Sequence, residues 1–290
     1  MSTTAPTAPA SGAGPAARTP AGLPGVLPLS LVRAGVELRQ FWRERDAVVF
    51  VFAYPILMLA IFATVFGGQD QGTEVAEIGF AQYFLPGMVA TGVVLTSFQS
   101  LAISIAVERD DGTLRRLRAT PLPSSAYFGG KVLLTLATSV VQTALLLAVA
   151  ALVYDVPMPS DAGRWATFAW VFVLGTATGT VCGVAFSSLP RSGRSASAVV
   201  TPVVLVLQFV SGVFFAFFAL PAWMQTLASV FPLKWIAQGM RSVFLPADMA
   251  ALETSGSWQH LATAGVLAVW LIVGLVVGVR TFRWRRRDDG

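Results

Sequence analysis

The chain has 290 residues, 55% of them apolar and only 12% charged, with a mean hydropathy of +0.69. A soluble domain carries about 25% Asp, Glu, Lys and Arg, so this composition excludes an ordinary water-soluble globule, and 20 Phe exclude a disordered chain. The net charge of +5 resembles that of a nucleic-acid binder, but the basic residues sort by loop between apolar blocks long enough to cross ~30 Å of hydrocarbon. The chain therefore reads as an all-α polytopic membrane protein with no nucleic-acid partner. One cysteine, Cys182, and one histidine, His260, leave no disulfide framework, no cysteine metal site and no HExxH centre.

Residues 1–29 are mostly Ala, Pro, Gly, Ser and Thr with a single charge, Arg18, and read as a disordered tail. Over 30–46 the pattern changes to a helix, with Ser30 as its cap. Leu31, Ala34, Leu38, Phe41 and Trp42 share one stripe, and Arg33, Glu37, Gln40 and Glu44 take the opposite face. Such a helix lies in the membrane interface or packs on a soluble partner. Six spans follow, near 48–67, 83–106, 132–153, 166–188, 198–219 and 259–280, with no charge at their centres. Between the last two, 222–231 and 233–244 are too short to span. Punctuated by Pro221 and Pro232, they read as re-entrant or interfacial half-helices anchored by Trp223, Phe231 and Trp235. The transmembrane domain thus occupies 47–282, and 283–290 form a basic tail whose Trp284 and Arg285–Arg287 suit an anchor on anionic lipid.

Seventeen of the 20 Lys and Arg fall on the side that holds both termini, against Arg164, Lys234 and Arg241 on the other. The positive-inside rule then puts both termini in the cytoplasm of a multi-pass protein of the plasma (inner) membrane. Within the spans, Gln99, Gln142, Thr201, Gln208 and Ser211 either line a path or brace neighbouring helices by hydrogen bonds. Gly175, Gly179 and Gly183, and Gly274 and Gly278, permit close helix contact within the chain or at a dimer seam.

The most informative loop is 107–131. Gly112 ends the second span and Thr113 can cap a short helix that Pro121 and Pro123 stop. Leu114 and Leu117 face one way, with Arg115, Arg116 and Arg118 around them. The residues alone leave two readings open: a short helix whose exposed apolar pair inserts into a partner's groove, or an ordinary basic loop.

The run E-x3-G-T-L-x2-L-x2-T-P-L, carried by Glu108, Gly112, Thr113, Leu114, Leu117, Thr120, Pro121 and Leu122, resembles the signature of ABC type-2 transporter permeases, the family of daunorubicin-resistance permeases and related drug or lipid exporters. Ser211 to Trp235 resembles the family's second signature, departing from it at Ala216, where many members have Pro. The resemblance implies one transmembrane half of an ATP-driven exporter of a hydrophobic or amphipathic cargo (drug, lipid or lipid-linked glycan). Two permease copies would pair with two separate nucleotide-binding ATPase subunits carrying ATP and Mg2+. It also implies that the helix over 113–120 is the coupling helix, with the 30–46 helix clamping it. Independently, the chain has no G-x4-G-K-[ST] P-loop, since Lys131 is followed by Val132. It is therefore no enzyme by itself and binds no cofactor. The spans lack the buried Asp, Glu or His that an intramembrane enzyme or a proton-coupled carrier needs. A non-transporting membrane scaffold or assembly protein is the alternative.

Overall fold

The computed structural model describes residues 25–67, 78–253 and 255–282. Residues 1–24, and 283–290 with Trp284 and Arg285–Arg287, lie outside the described residues. All regular elements among the described residues are helical. In chain order they are α1 (Val26–Arg43), α2 (Arg45–Phe66), α3 (Phe80–Val94), α4 (Ser100–Asp110), α5 (Thr113–Arg118), α6 (Ser124–Val153), α7 (Ala162–Phe186), α8 (Gly193–Val210), α9 (Ala222–Val230), α10 (Pro232–Phe244) and α11 (His260–Thr281). A π-turn, Leu95–Gln99, joins α3 to α4 as one 31-residue unit. Among the described residues, that unit, α2, α6, α7, α8 and α11 are the six helices long and apolar enough to span a bilayer.

The α3–α4 unit is the axis of the bundle. Its apolar window is 83% buried, against 22% for α2, α8 and α11, so those three present most of their side chains outward, as lipid-facing helices do. The close approach around the axis depends on small residues. A Cβ on Gly179 would fall 2.0 Å from Ser97 Oγ, and one on Gly183 would fall 2.9 Å from the Phe98 carbonyl. A Cβ on Gly274 would lie 3.1 Å from the Cys182 nitrogen, seating α11 on α7. All three glycines therefore serve contacts within the chain. Thr96 Oγ1 donates to the Gly92 and Val93 carbonyls at 2.9 and 3.0 Å, occupying acceptors around the register change of the π-turn.

Several expected boundaries and caps shift. The first helix begins at Val26, not Leu31, and Ser30 is buried inside it, its hydroxyl donating to the Val26 carbonyl at 2.9 Å. Residues 26–29, expected in the tail, are therefore helical. The fifth span stops at Val210 rather than 219, because Gly212 turns the chain at φ +71°. The segment expected over 233–244 is a helix, but every residue from Leu233 to Phe244 is buried, packed among α3, α7 and α11. Trp235 is consequently an internal residue, its Nε1 donating to the Ser229 carbonyl at 2.8 Å, and not an interfacial anchor.

Candidate functional site

The α4–α5 junction is built from three local choices. Gly112 adopts φ +78°, which a side chain resists. Asp111 Oδ1 then accepts from the Thr113 backbone N–H at 2.8 Å. Asp111 and Gly112, rather than Thr113, therefore cap the helix, which begins at Thr113. Leu114 is fully buried in a cluster with Leu101, Ile105 and Tyr127, and Leu117 and Leu122 pack partly against it. The expected exposed apolar pair is thus corrected: Leu114 holds α5 onto the bundle, and Leu117 is half-buried. Arg115, Arg116 and Arg118 face outward, Arg116 donating to Thr113 Oγ1 at 2.9 Å. Thr120 closes the segment by donating to the Leu117 carbonyl at 2.6 Å, ahead of the exposed Pro121.

A buried charge cluster ties α1 to this junction. Lys131 Nζ is fully buried and donates to Glu37 Oε2 at 2.8 Å, Glu108 Oε1 at 2.6 Å and Ser104 Oγ at 3.0 Å. Arg33 pairs with Glu37 and lies 3.6 Å from Glu108. Tyr127 donates to the other Glu108 oxygen at 2.8 Å, with the Arg33 guanidinium 5.6 Å above its ring. Two carboxylates thus meet two cations, which is what allows the charges to be buried at all. The helices come this close because Gly129 and Gly130 lack side chains: a Cβ there would fall 2.4 Å from Ser30 Oγ or 2.5 Å from Arg33 Cγ.

This cluster turns part of the polar face of α1 onto α6. Glu37 is buried there and Arg33 half-buried, while Gln40 and Glu44 of the same face are exposed. In the apolar stripe Leu31 and Trp42 are exposed and Leu38 and Phe41 half-buried, with Trp42 stacked on Phe52 of α2 at 5.7 Å. Lys131, which the sequence places at the end of the 107–131 loop, lies within α6. The signal that locates Lys131 inside a helix is Gly129-Gly130 directly before it, a pair that marks close backbone approach.

Beside the cluster lies a cavity of about 700 Å3 among α1, α2, α4, α6 and α8. Gln99 and Thr201 line it and bond each other at 3.3 Å. Gln208 and Ser211, expected beside them, are elsewhere. Gln208 accepts from Tyr54 OH of α2 at 2.9 Å, and the Ser211 hydroxyl is buried at the end of α8. Gln142 packs against α3, its amide lying where a Gly92 side chain would be, and makes no interhelical hydrogen bond among the described residues.

At the opposite end of the bundle, Arg241 Nε of α10 pairs with Glu253 Oε1 at 2.6 Å. Lys234 bonds Gln238 and sits 3.6 Å above the Trp235 ring; burial pushes its amine down to about 8. His260 Nε2 bonds the Ser242 hydroxyl at 2.9 Å, joining α11 to α10.

Comparison with known proteins agrees with this architecture. The family model for the ABC-2 type transporter matches residues 34–245. The inner membrane transport permease YadH of Escherichia coli (strain K12) is 24% identical over 235 residues, covering 78% of this chain and 88% of that protein. The putative transport permease ycf38 of Porphyra purpurea is 22% identical over 244 residues, covering 82% and 81%. The probable multidrug ABC transporter permease YbhR of the same E. coli strain is 24% identical over 195 residues, covering 66% of this chain and 52% of that protein. With the matched region spanning most of the six-helix bundle, the chain belongs to the ABC-2 type transporter family and is a multi-pass membrane permease.

Proposed function

We propose that this chain is the membrane half of an ATP-driven exporter, with α5 docking on a separate ATPase subunit and both termini in the cytoplasm. Two copies pair with two ATPases, which carry ATP and Mg2+; the permease binds neither. The cargo is a hydrophobic or amphipathic molecule taken from the cytoplasm or inner leaflet. The observation that carries the reading is α5 itself, a six-residue helix after a left-handed glycine. It is anchored inward by Leu114, linked through Glu108 to α1 and α6, and rimmed outward by arginines.

That geometry suits a coupling element. A force on α5 is passed to α4 through the shared Leu114 cluster and to α1 through Lys131, without first unfolding a loop. The arginine rim favours an acidic rim on the partner, which raises association rate and fixes orientation. The test is reconstitution of the permease with its ATPase in proteoliposomes. ATP-dependent removal of an amphipathic cargo from the side bearing α5 is expected. A permease that neither retains an ATPase nor alters its turnover would be a scaffold instead.

A further inference from the structure

We infer that Tyr54 and Gln208 form a gate, a single hydrogen bond that closes the deep end of the cavity and separates it from the outer half of the bundle. This rests on the exporter reading above and names the residues that cargo must part on leaving the cavity. Thr201, Gln208 and Ser211, the last at the end of α8, make a polar stripe within about 80° of the helix circumference. Of the three, Thr201 alone lines the cavity. Gln208 lies seven residues further along α8, roughly 10 Å at ~1.5 Å per residue. On α2, Tyr54 comes one turn beyond the lining residues Phe50 and Val51. The 2.9 Å bond from the Tyr54 hydroxyl to Gln208 Oε1 therefore crosses between the helices just past the deepest cavity lining on both.

Little else joins those two helices. α2 packs on α3, α6 and α1, and α8 packs on α4, while the α2 and α8 backbones hardly meet. Further out, Phe62 of α2 stacks on Phe84 of α3 at 4.7 Å and on Phe214, in the turn after α8, at 5.9 Å. The seam between α2 and α8 thus widens into the cavity at the α5 end, is bridged by one polar contact, and is then sealed by rings. Between the bridge and the rings sits Ser211, fully buried, its hydroxyl without a hydrogen-bond partner. That hydroxyl braces no helix; it is a polar wall for whatever passes the bridge. An interhelical hydrogen bond in a membrane is weak, so this one breaks and re-forms readily as α2 and α8 part. The freed phenol and amide then take water or the polar part of a cargo as partners.

The test is the labelling of single cysteines, on a Cys182→Ser background, by a small charged methanethiosulfonate. It uses sealed vesicles whose α5 end faces the medium, as verified by reaction of a cysteine at Ser124, which is exposed. Neither ATPase nor cargo is present, so the outcome is separate from that of the exporter reading. Thr201→Cys should react, and Ser211→Cys, beyond the gate, should react far more slowly. Tyr54→Phe removes the hydroxyl and keeps the ring. It should raise the Ser211→Cys rate about threefold, the factor that an average interhelical hydrogen bond is worth, and leave the Thr201→Cys rate unchanged. Gln208→Leu, which cannot accept from Tyr54, should act alike, and the double variant no more strongly than either alone. A bond that only braces the bundle would lower the melting temperature of Tyr54→Phe without moving either rate. That result, an unreactive Thr201→Cys, or a Ser211→Cys that reacts as fast as Thr201→Cys before the gate is altered would overturn the proposal.

Discussion

At the residue scale, the most consequential side chain is Lys131. Its ammonium offsets the buried Glu37 carboxylate and the largely buried one of Glu108, and removing one partner of a buried pair costs about 3–5 kcal/mol because the remaining charge is stranded. Lys131→Met should therefore lower the melting temperature of the purified permease sharply. Adding Glu37→Gln leaves Arg33 opposite Glu108 and should recover most of the loss. Recovery would identify charge balance, rather than packing, as the cause. Lys234 behaves differently, since burial lowers its affinity for a proton from the usual 10.5 to about 8. Between those values the unfolded chain holds more protons than the folded one, so stability rises with pH across that window and is independent of this group below it. Thermal melts from pH 8 to 10.5 should show that rise in the native chain and a flatter profile in Lys234→Met.

At the element scale, what was legible in the sequence and what was not divides by where the burial comes from. The spanning helices were legible because lipid rewards only a long apolar run, whatever its neighbours. The existence of α5 was legible too, since Gly112 and Pro121 mark its ends locally. The direction in which Leu114 points was not. Leu114 and Leu117 share a face whether a partner or the chain itself covers them, and only the position of Tyr127 on α6 decides it. For α10 the failure has another cause. Lys234, Gln238 and Arg241 make a short segment look interfacial, yet each finds a partner inside the bundle. Gln99 and Thr201 line one cavity and bond each other, whereas Gln208 is committed to Tyr54. The tight α7 contact gives a direct test. Gly183→Ala drives a methyl against the Phe98 and Ser97 carbonyls, at 2.9 and 3.0 Å, and should cost about 1–3 kcal/mol in stability by overpacking. Gly265→Ala on α11, where nothing lies within 4 Å, should cost none.

At the scale of the whole molecule, α5 lies at one end of the bundle and the Arg241–Glu253 pair at the other, and the cavity lined by Gln99 and Thr201 reaches Asp111 and Thr113 at the α5 end. The charge asymmetry of the loops predicts that the α5 end faces the cytoplasm. On a Cys182→Ser background, a cysteine at the exposed Ser255 should react with an impermeant thiol reagent in intact cells. One at the exposed Ser124 should react only after the membrane is opened. Reaction at Ser124 in intact cells would reverse the orientation and with it the direction from which cargo is loaded.

The central claim is that α5 carries the ATPase, and it is tested most directly by the amount of ATPase recovered per permease from membranes. Because Leu114 is part of the bundle, the variant must change only the outward rim: Arg115→Glu/Arg118→Glu, with the melting temperature of the permease checked alongside. The expected result is a permease that inserts and melts like the native chain but retains about a tenth or less of the ATPase, the loss that reversing charges at a complementary interface produces. Full recovery of the ATPase by a normally folded variant would contradict the assignment of α5 as the docking element.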